Sequence, residues 1–225
     1  MLTVSTLTPY DAGMAPPRAP RPARKRPDSY HHGDLQRALL QAALRTIRKH
    51  GVETLTLRAV ADDLGVSRTA LYRHFADKSA LLAAVAREGF RMLRLALSEA
   101  WEQGGKGRKG FEAMGEAYVR FAVANPSHYR VMFGGALDRR APDPELAQEG
   151  AGAFQVLVDS LIAQQEAGLV RGDDPQQLAR FIWSIVHGIA MLTIDGQLQH
   201  QEADPDALTR YAIDRVRSGI EAASL

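Results

Sequence analysis

Apolar residues recur at steps of three and four positions from Asp34 onward, and no stretch of strict apolar and polar alternation is long enough for a strand. Glycine, proline and capping residues interrupt this pattern at intervals typical of helix ends. The pattern therefore predicts an all-α fold.

The first three predicted helices follow one another closely. The first ends at Gly51, which suits the left-handed position after a helix C-terminus, and Thr56 caps the second. Gly65 ends the second helix, and Ser67 caps the third. Two short helices around a glycine turn are typical of a helix-turn-helix.

A fourth helix is predicted from Lys78 to Gln103, with Asp77 as its N-cap. At a rise of 1.5 Å per residue it is about 39 Å long, and Gly89 is a candidate position for a bend. This length suits a strut between two domains.

The remaining helices are marked by proline. A helix over Phe111–Phe121 ends before Asn125-Pro126, and a short segment around Tyr129–Phe133 follows. Later helices begin where Asp precedes Pro, at Asp143-Pro144, Asp174-Pro175 and Asp204-Pro205. The helix that begins at Pro175 is apolar on two sides, which predicts that it is covered on two sides.

Length, cysteine content and hydropathy restrict the class of protein. With 225 residues, of which 45% are hydrophobic, the chain can form one large or two modest domains. It has no cysteine, which excludes a disulfide framework and a thiolate nucleophile. Residues 1–27 lack the apolar core of a signal peptide, and the longest apolar stretch, Phe181–Ile194, contains His187. We expect a cytoplasmic protein with no membrane segment.

The charge is unevenly distributed, although the formal net charge is only +2. Residues 1–27 carry +4, residues 28–89 carry +2 and residues 90–225 carry −4. A basic N-terminal part before an acidic body favours contact between the N-terminal part and a polyanion.

Residues 1–29 are rich in Pro, Ala and basic side chains. Because this composition cannot bury enough apolar surface to order the segment, we expect a flexible basic arm. Both Met1 and Met14 fit as the start residue.

No motif in the chain supports catalysis, because GxSxG and a P-loop are missing and no GxGxxG follows a predicted strand. We therefore expect neither enzyme activity nor a cofactor. His31, His32 and Asp34 could suggest a metal site, but adjacent histidines rarely form a closed site and no HExxH completes one. We predict no bound metal.

The run LTLRAVADDLGVSRTALYRHFADKSALLAAVA, preceded by YHHGDL, resembles the TetR family of bacterial transcription regulators over residues 30 to about 88. Trp183 with His187-Gly188 resembles the Trp-His-Gly motif of one subgroup of its C-terminal domains. The resemblance implies a DNA-binding domain over residues 30–77 and a regulatory and dimerisation domain over residues 78–225. It implies a homodimeric repressor that a small-molecule effector releases from a palindromic operator in double-stranded DNA.

In a helix-turn-helix the second helix lies in the major groove, so residues near its N-terminus reach the bases. Arg68 can address guanine with its planar guanidinium, and Lys78 begins the fourth helix where positive charge meets backbone phosphate. The predicted DNA-binding residues are Thr56, Arg58, Ser67, Arg68, Thr69, Tyr72, Arg73, His74 and Lys78.

The large domain holds aromatic and Met side chains that are usually core and that could also line a ligand pocket. The predicted pocket residues are Tyr118, Phe121, Met132, Phe154, Trp183 and His187. His187 stands out because an imidazole in the most apolar helix needs a partner, which a ligand, a Tyr or the opposite subunit could provide.

By the same resemblance, the last two long helices of each subunit form a four-helix interface. Its candidate residues are Ile189, Leu192, Ile213, Val216 and Ile220. The alternative function is that of a helical interaction protein or chaperone-like adaptor that has kept the fold and lost DNA binding. That alternative needs a damaged recognition helix, whereas Arg68, Tyr72 and Lys78 are present.

Overall fold

The computed structural model describes residues 32–137, 143–198 and 204–222. The predicted arm over residues 1–29, both candidate start residues and His31 lie outside these ranges. Within them the chain is all-α, as the hydrophobic pattern predicts.

The described ranges contain nine helices, whose bounds follow the glycine, proline and capping residues of the sequence. They are α1 (His32–His50), α2 (Leu57–Leu64), α3 (Arg68–Tyr72), α4 (Lys78–Gln103), α5 (Arg108–Ala124), α6 (Pro126–Phe133), α7 (Pro144–Glu166), α8 (Pro175–Ile194) and α9 (Pro205–Ile220). The short connections between α1, α2 and α3 hold these three helices together as one unit ahead of α4.

Side-chain caps fix the beginnings of six helices. In each case an oxygen of the residue before the helix accepts a hydrogen bond from a backbone amide in the first turn. The capping residues are Thr56, Ser67, Asp77, Asp143, Asp174 and Asp204. The predicted helix starts are confirmed at all six positions.

The long helix α4 is the element shared by the two halves of the fold. It packs against α1 and against α5, α6 and α7. Leu82 and Val85 in its first half and Leu93 and Leu97 in its second half belong to the same continuous core cluster. A displacement of α4 therefore affects both halves of the molecule.

Gly89, a predicted bend position, instead permits a close helix contact within a continuous α4. A Cβ atom at Gly89 would lie 2.5 Å from Sδ of Met132 and 3.3 Å from Cβ of His128, both on α6. The missing side chain therefore lets α6 pack tightly against the middle of α4.

Helix α8 is long and apolar enough to cross a membrane by these two criteria. Its inward residues are nevertheless buried against α5, α7 and α9, as in the core helix of a globular domain. A single helix of this kind is weak evidence for a membrane span.

Candidate functional site

The turn between α2 and α3 is built by three local contacts. Gly65 adopts the left-handed conformation at φ 66°, and its amide donates to the carbonyl of Asp62. The amide of Val66 donates to the carbonyl of Ala61, which closes the helix end. Ser67 then starts α3 by accepting from the amide of Ala70 at 3.1 Å. The sequence therefore encodes the helix-turn-helix geometry locally.

Helix α3 is anchored by its apolar side and open on its polar side. Leu71 and Phe75 are buried in the core. The opposite surface, called the recognition face below, consists of the exposed residues Ser67, Arg68, Thr69, Tyr72 and Arg73. Two guanidinium groups, two hydroxyls and a phenol that is 54% exposed are the groups that contact bases and phosphates in DNA complexes.

The other predicted DNA-binding residues flank the recognition face and differ in their exposure and in their contacts. Thr56 is exposed, and its hydroxyl oxygen accepts from the amide of Ala59, which leaves the hydroxyl proton available. Arg58 is exposed, and its Nε lies 3.6 Å from a carboxylate oxygen of Asp62. His74 is half-buried beside α3.

Lys78 has a structural contact that the sequence does not show. Its ammonium group donates to the backbone carbonyl of Glu53 at 3.1 Å and so joins the first turn of α4 to the connection between α1 and α2. The side chain is half-buried. Lys78 therefore holds the helix-turn-helix against α4 and carries a positive charge at the same edge.

A cavity of about 410 Å³ lies in the second half of the molecule, between α4, α5, α6, α7, α8 and α9. Its wall is made almost wholly of aromatic and aliphatic side chains. Among them are Phe90, Leu93, Leu97, Phe111, Met114, Tyr118, Phe133, Phe154, Leu157, Ile182, Trp183, Val186 and Ile213. This volume is typical of a small-molecule site.

Three of the six predicted pocket residues, Tyr118, Phe154 and Trp183, line this apolar cavity. Phe121 and Met132 are buried in the core outside its lining. His187 lies next to the lining, with its ring centroid 5.4 Å from that of Trp183. The structure therefore brings half of the predicted set to the cavity surface.

Behind the cavity wall, four polar groups form a closed set that we call the hydroxyl network: Tyr118, Tyr129, Trp183 and His187. With the proton of neutral His187 assigned to Nε2, three contacts form one donor chain, and Oη of Tyr118 also lies 3.2 Å from Nδ1 of His187 without a proton of its own for that contact. The indole N–H of Trp183 donates to Oη of Tyr118 at 2.9 Å, and Tyr118 donates to Oη of Tyr129 at 3.0 Å. Tyr129 donates to Nδ1 of His187 at 2.7 Å. His187 thus finds tyrosine partners within its own subunit.

Burial keeps the hydroxyl network uncharged. It raises the pKa of Tyr118 to about 12 and raises the pKa of Tyr129 as well, because desolvation penalises a phenolate. The same desolvation lowers the pKa of His187. The network therefore consists of neutral donors and acceptors near neutral pH.

Tyr129 belongs to α6, which connects the cavity region to the rest of the fold. His128 on α6 lies 3.1 Å from a carboxylate oxygen of Glu88 on α4. Arg130 on α6 donates to the carbonyl of Ile194 at the end of α8 and to the carboxylate of Asp195. Because α6 also packs against α1, it contacts the cavity region, α4 and α1.

An apolar groove follows the outer surface between α8 and α9. Its wall includes Phe181, Ile185, Leu208, Tyr211 and Ala212. Phe181 and Tyr211 are 54% and 64% exposed, and Leu192 farther along α8 is 45% exposed. Large side chains exposed together on neighbouring helices indicate a surface that another protein covers.

The groove changes the set of candidate interface residues. Of the five expected from the sequence, only Leu192 is exposed. The other four are buried within the subunit: Ile189, Ile213, Val216 and Ile220. Three of these four, Ile189, Val216 and Ile220, nevertheless line the groove, whereas Ile213 lines the apolar cavity.

Two family descriptions match the chain. Residues 39–85 match "Bacterial regulatory proteins, tetR family", and residues 111–216 match "Tetracyclin repressor-like, C-terminal domain". The first match includes the whole helix-turn-helix, and the second includes the hydroxyl network and much of the apolar cavity.

Individual proteins show the same similarity. The HTH-type transcriptional repressor Rv1474c of Mycobacterium tuberculosis is 28% identical over 163 residues, which are 69% of this chain and 80% of that protein. The uncharacterized HTH-type transcriptional regulator Rv0681 of the same organism is 26% identical over 93% of this chain and 88% of that protein. A solved structure of a protein of unknown function from Rhodococcus sp. RHA1 is 34% identical, with a TM-score of 0.76 over 86% of this chain and 99% of that chain.

Proposed function

The chain belongs to the TetR family of transcription regulators, and we propose that it is a cytoplasmic repressor, without enzyme activity, that leaves a palindromic operator when a small molecule binds. The recognition face of α3 is the single observation on which this proposal depends most. It presents two arginines and three hydroxyl groups on a helix whose opposite side is anchored by Leu71 and Phe75.

The roles proposed for the DNA-binding residues follow from their positions. Arg68, the first residue of α3, is proposed to read guanine, because a side chain at the start of a recognition helix reaches base edges. Tyr72, Arg73 and the hydroxyl groups of Thr56, Ser67 and Thr69 are proposed to contact phosphates, with Arg58, His74 and Lys78 at the edges of the surface.

We propose that the working form is a homodimer joined through the groove between α8 and α9. The exposed apolar residues Phe181, Leu192 and Tyr211 support this interface, because a two-fold axis would bury each patch against its copy. Two recognition faces related by that axis would require an operator with matching symmetry.

We propose that the apolar cavity holds the effector and that α6 transmits its presence. A ligand releases the operator only by binding the non-operator conformation more tightly, and a coupling of about 1–3 kcal/mol lowers operator affinity about 5- to 150-fold. The contacts of α6 with α1, α4 and the end of α8 support this proposal, because through them a conformational change at the cavity can displace the helix-turn-helix.

A footprinting experiment with the full chain tests the DNA-binding proposal. The DNA flanking the gene for this protein is digested in the presence of increasing protein, and a protected segment with inverted half-sites is expected. Protection without any preferred segment, at every protein concentration, would contradict sequence-specific binding and favour the adaptor alternative.

A further inference from the structure

The wall of the apolar cavity contains one charged residue among those that the structure describes, Arg180 on α8. We propose that the cavity takes an amphiphilic monoanion, with an unbranched or singly ringed apolar body inside and a carboxylate or similar head at Arg180. This inference rests on the effector-binding role in the proposed function and specifies the chemical class of the effector.

The volume of the cavity sets the size of the apolar body. A cavity of about 150 Å³ with apolar walls is known to hold benzene. By that measure, the 410 Å³ of this cavity accommodates roughly 10–16 carbon atoms. A medium-length acyl chain falls in this range.

The hydroxyl network determines how polar the buried part of the ligand can be. The rings of Tyr118 and Trp183 line the interior, and behind the wall their hydroxyl and indole N–H are hydrogen-bonded to each other. The Tyr118 hydroxyl is further engaged by Tyr129 at 3.0 Å. A ligand that buried a hydroxyl or amide here would leave that group without a partner, so the interior selects against polar bodies.

Arg180 sets the charge of the head. It is exposed, and within the part of the chain that the structure describes its guanidinium forms no ion pair, whereas Arg87, Arg91 and Arg94 all pair with carboxylates. An exposed guanidinium next to an apolar opening can bind an anionic head that remains in contact with water. A cationic head at the same place would be repelled.

Isothermal titration calorimetry with three probes of equal chain length tests the proposal. The probes are dodecanoate, neutral dodecanol and cationic dodecyltrimethylammonium, each below its micelle concentration. We expect dodecanoate to bind most tightly and the cation least. Equal binding of all three would contradict the assigned charge of the head.

Three arginine variants identify the source of the preference. Arg180→Gln should weaken dodecanoate up to about fivefold and remove its advantage over dodecanol, because a partly exposed ion pair contributes up to about 1 kcal/mol. Arg180→Lys should keep the order of the probes. Arg120→Gln removes an exposed charge from α5, where Arg120 pairs with Glu116, and should change nothing; a loss as large as that of Arg180→Gln would overturn the assignment.

A variant that fills the cavity establishes where the apolar body of the ligand lies. Gly150 lines the cavity on α7, and a Cβ atom there would sit 3.8 Å from the ring of Phe90, an ordinary contact. Gly150→Met should therefore fill the cavity from a tolerated position and reduce dodecanoate affinity at least tenfold. Unchanged affinity in this variant, with unfolding unaltered, would place the ligand elsewhere and overturn the proposal.

Operator binding, measured on the same preparations, separates this inference from the proposed function. If the protein binds its operator and none of the three probes, the proposed ligand class is wrong and DNA binding stands. If the protein binds dodecanoate through Arg180 and no DNA, the ligand class stands and the repressor proposal fails.

Discussion

The hydroxyl of Tyr129 lies 2.7 Å from Nδ1 of His187, and this contact links α6 to the most apolar helix of the fold. Tyr129 is fully buried, and its ring stacks on the imidazole with centroids 5.6 Å apart. The Tyr129–His187 pair therefore joins α6, which contacts α1 and α4, to α8, which lines the cavity.

Removing the Tyr129 hydroxyl should destabilise the protein. Tyr129→Phe leaves Tyr118 and His187 short of a buried partner, so we expect the free energy of unfolding to fall by about 1–2 kcal/mol. Urea denaturation measures this change. Tyr72→Phe removes an exposed hydroxyl and is the matched control, with an expected change within about 0.5 kcal/mol. Equal effects of the two variants would refute a structural role for the network.

The lowered pKa of His187 predicts a dependence of stability on pH. Burial holds its pKa in the folded protein below the ordinary value of 6.5, so the unfolded chain binds the proton more readily. The contribution of neutral His187 to the free energy of unfolding is therefore lost as the pH falls from 6.5 toward the lowered pKa of the folded protein. Below that lowered pKa the loss is complete. The difference in unfolding free energy between wild type and His187→Gln should shrink over this interval. A difference that stays constant with pH would show that the imidazole does not titrate in this way.

The pH window of His187 is distinct from that of Glu88, whose carboxylate pairs with His128. The hydrogen bond from His128 holds the pKa of Glu88 below its ordinary value of 4.5, so its stabilising contribution is lost only as the pH falls below that value. The groups facing His187 are the phenols of Tyr118 and Tyr129, which burial keeps protonated. The pH window of His187 therefore lies above that of Glu88.

A charge in the groove between α8 and α9 should break the dimer. Phe181→Arg places a guanidinium in the centre of the proposed interface, where it would be desolvated without a partner. We expect light scattering to give the mass of a monomer. Leu95→Arg is a well-matched control, because Leu95 on α4 is also 54% exposed and lies outside the groove. A Phe181→Arg protein that remains dimeric would move the interface to another surface.

Lys78→Ala should weaken DNA binding for two reasons that can be measured separately. Loss of a phosphate contact lowers the affinity for all DNA sequences alike. It also makes the slope of log affinity against log salt concentration shallower by about one unit. Loss of the hydrogen bond to the carbonyl of Glu53 lowers stability by about 0.5–1.5 kcal/mol. Fluorescence anisotropy against salt and thermal unfolding report the two effects. An unchanged salt slope would leave Lys78 with its structural contact alone.

The helices were predictable from the sequence because their signals are local. Thr56, Ser67 and Asp77 each cap the helix that follows them, and Gly65 takes the left-handed conformation expected at a helix end. Such contacts depend only on neighbours in the chain, so the helix-turn-helix and its exposed face could be assigned without tertiary information.

The cavity was less predictable because its wall comes from residues far apart in sequence. Tyr118, Phe154 and Trp183 were expected there and line it, whereas Tyr129 was not assigned to the site although its hydroxyl completes the network. Arg180 carries no sequence signal that separates it from any surface arginine. Its significance comes only from its place beside an apolar opening.

Sequence-specific DNA binding by the recognition face is the central claim, and anisotropy measurements with wild type and Arg68→Ala on the footprinted operator and on scrambled DNA test it most directly. We expect wild type to prefer the operator, and Arg68→Ala to lose about 1–3 kcal/mol on the operator while changing little on scrambled DNA. Equal affinity of the wild-type protein for both DNAs, or an equal loss on both in the variant, would contradict the claim.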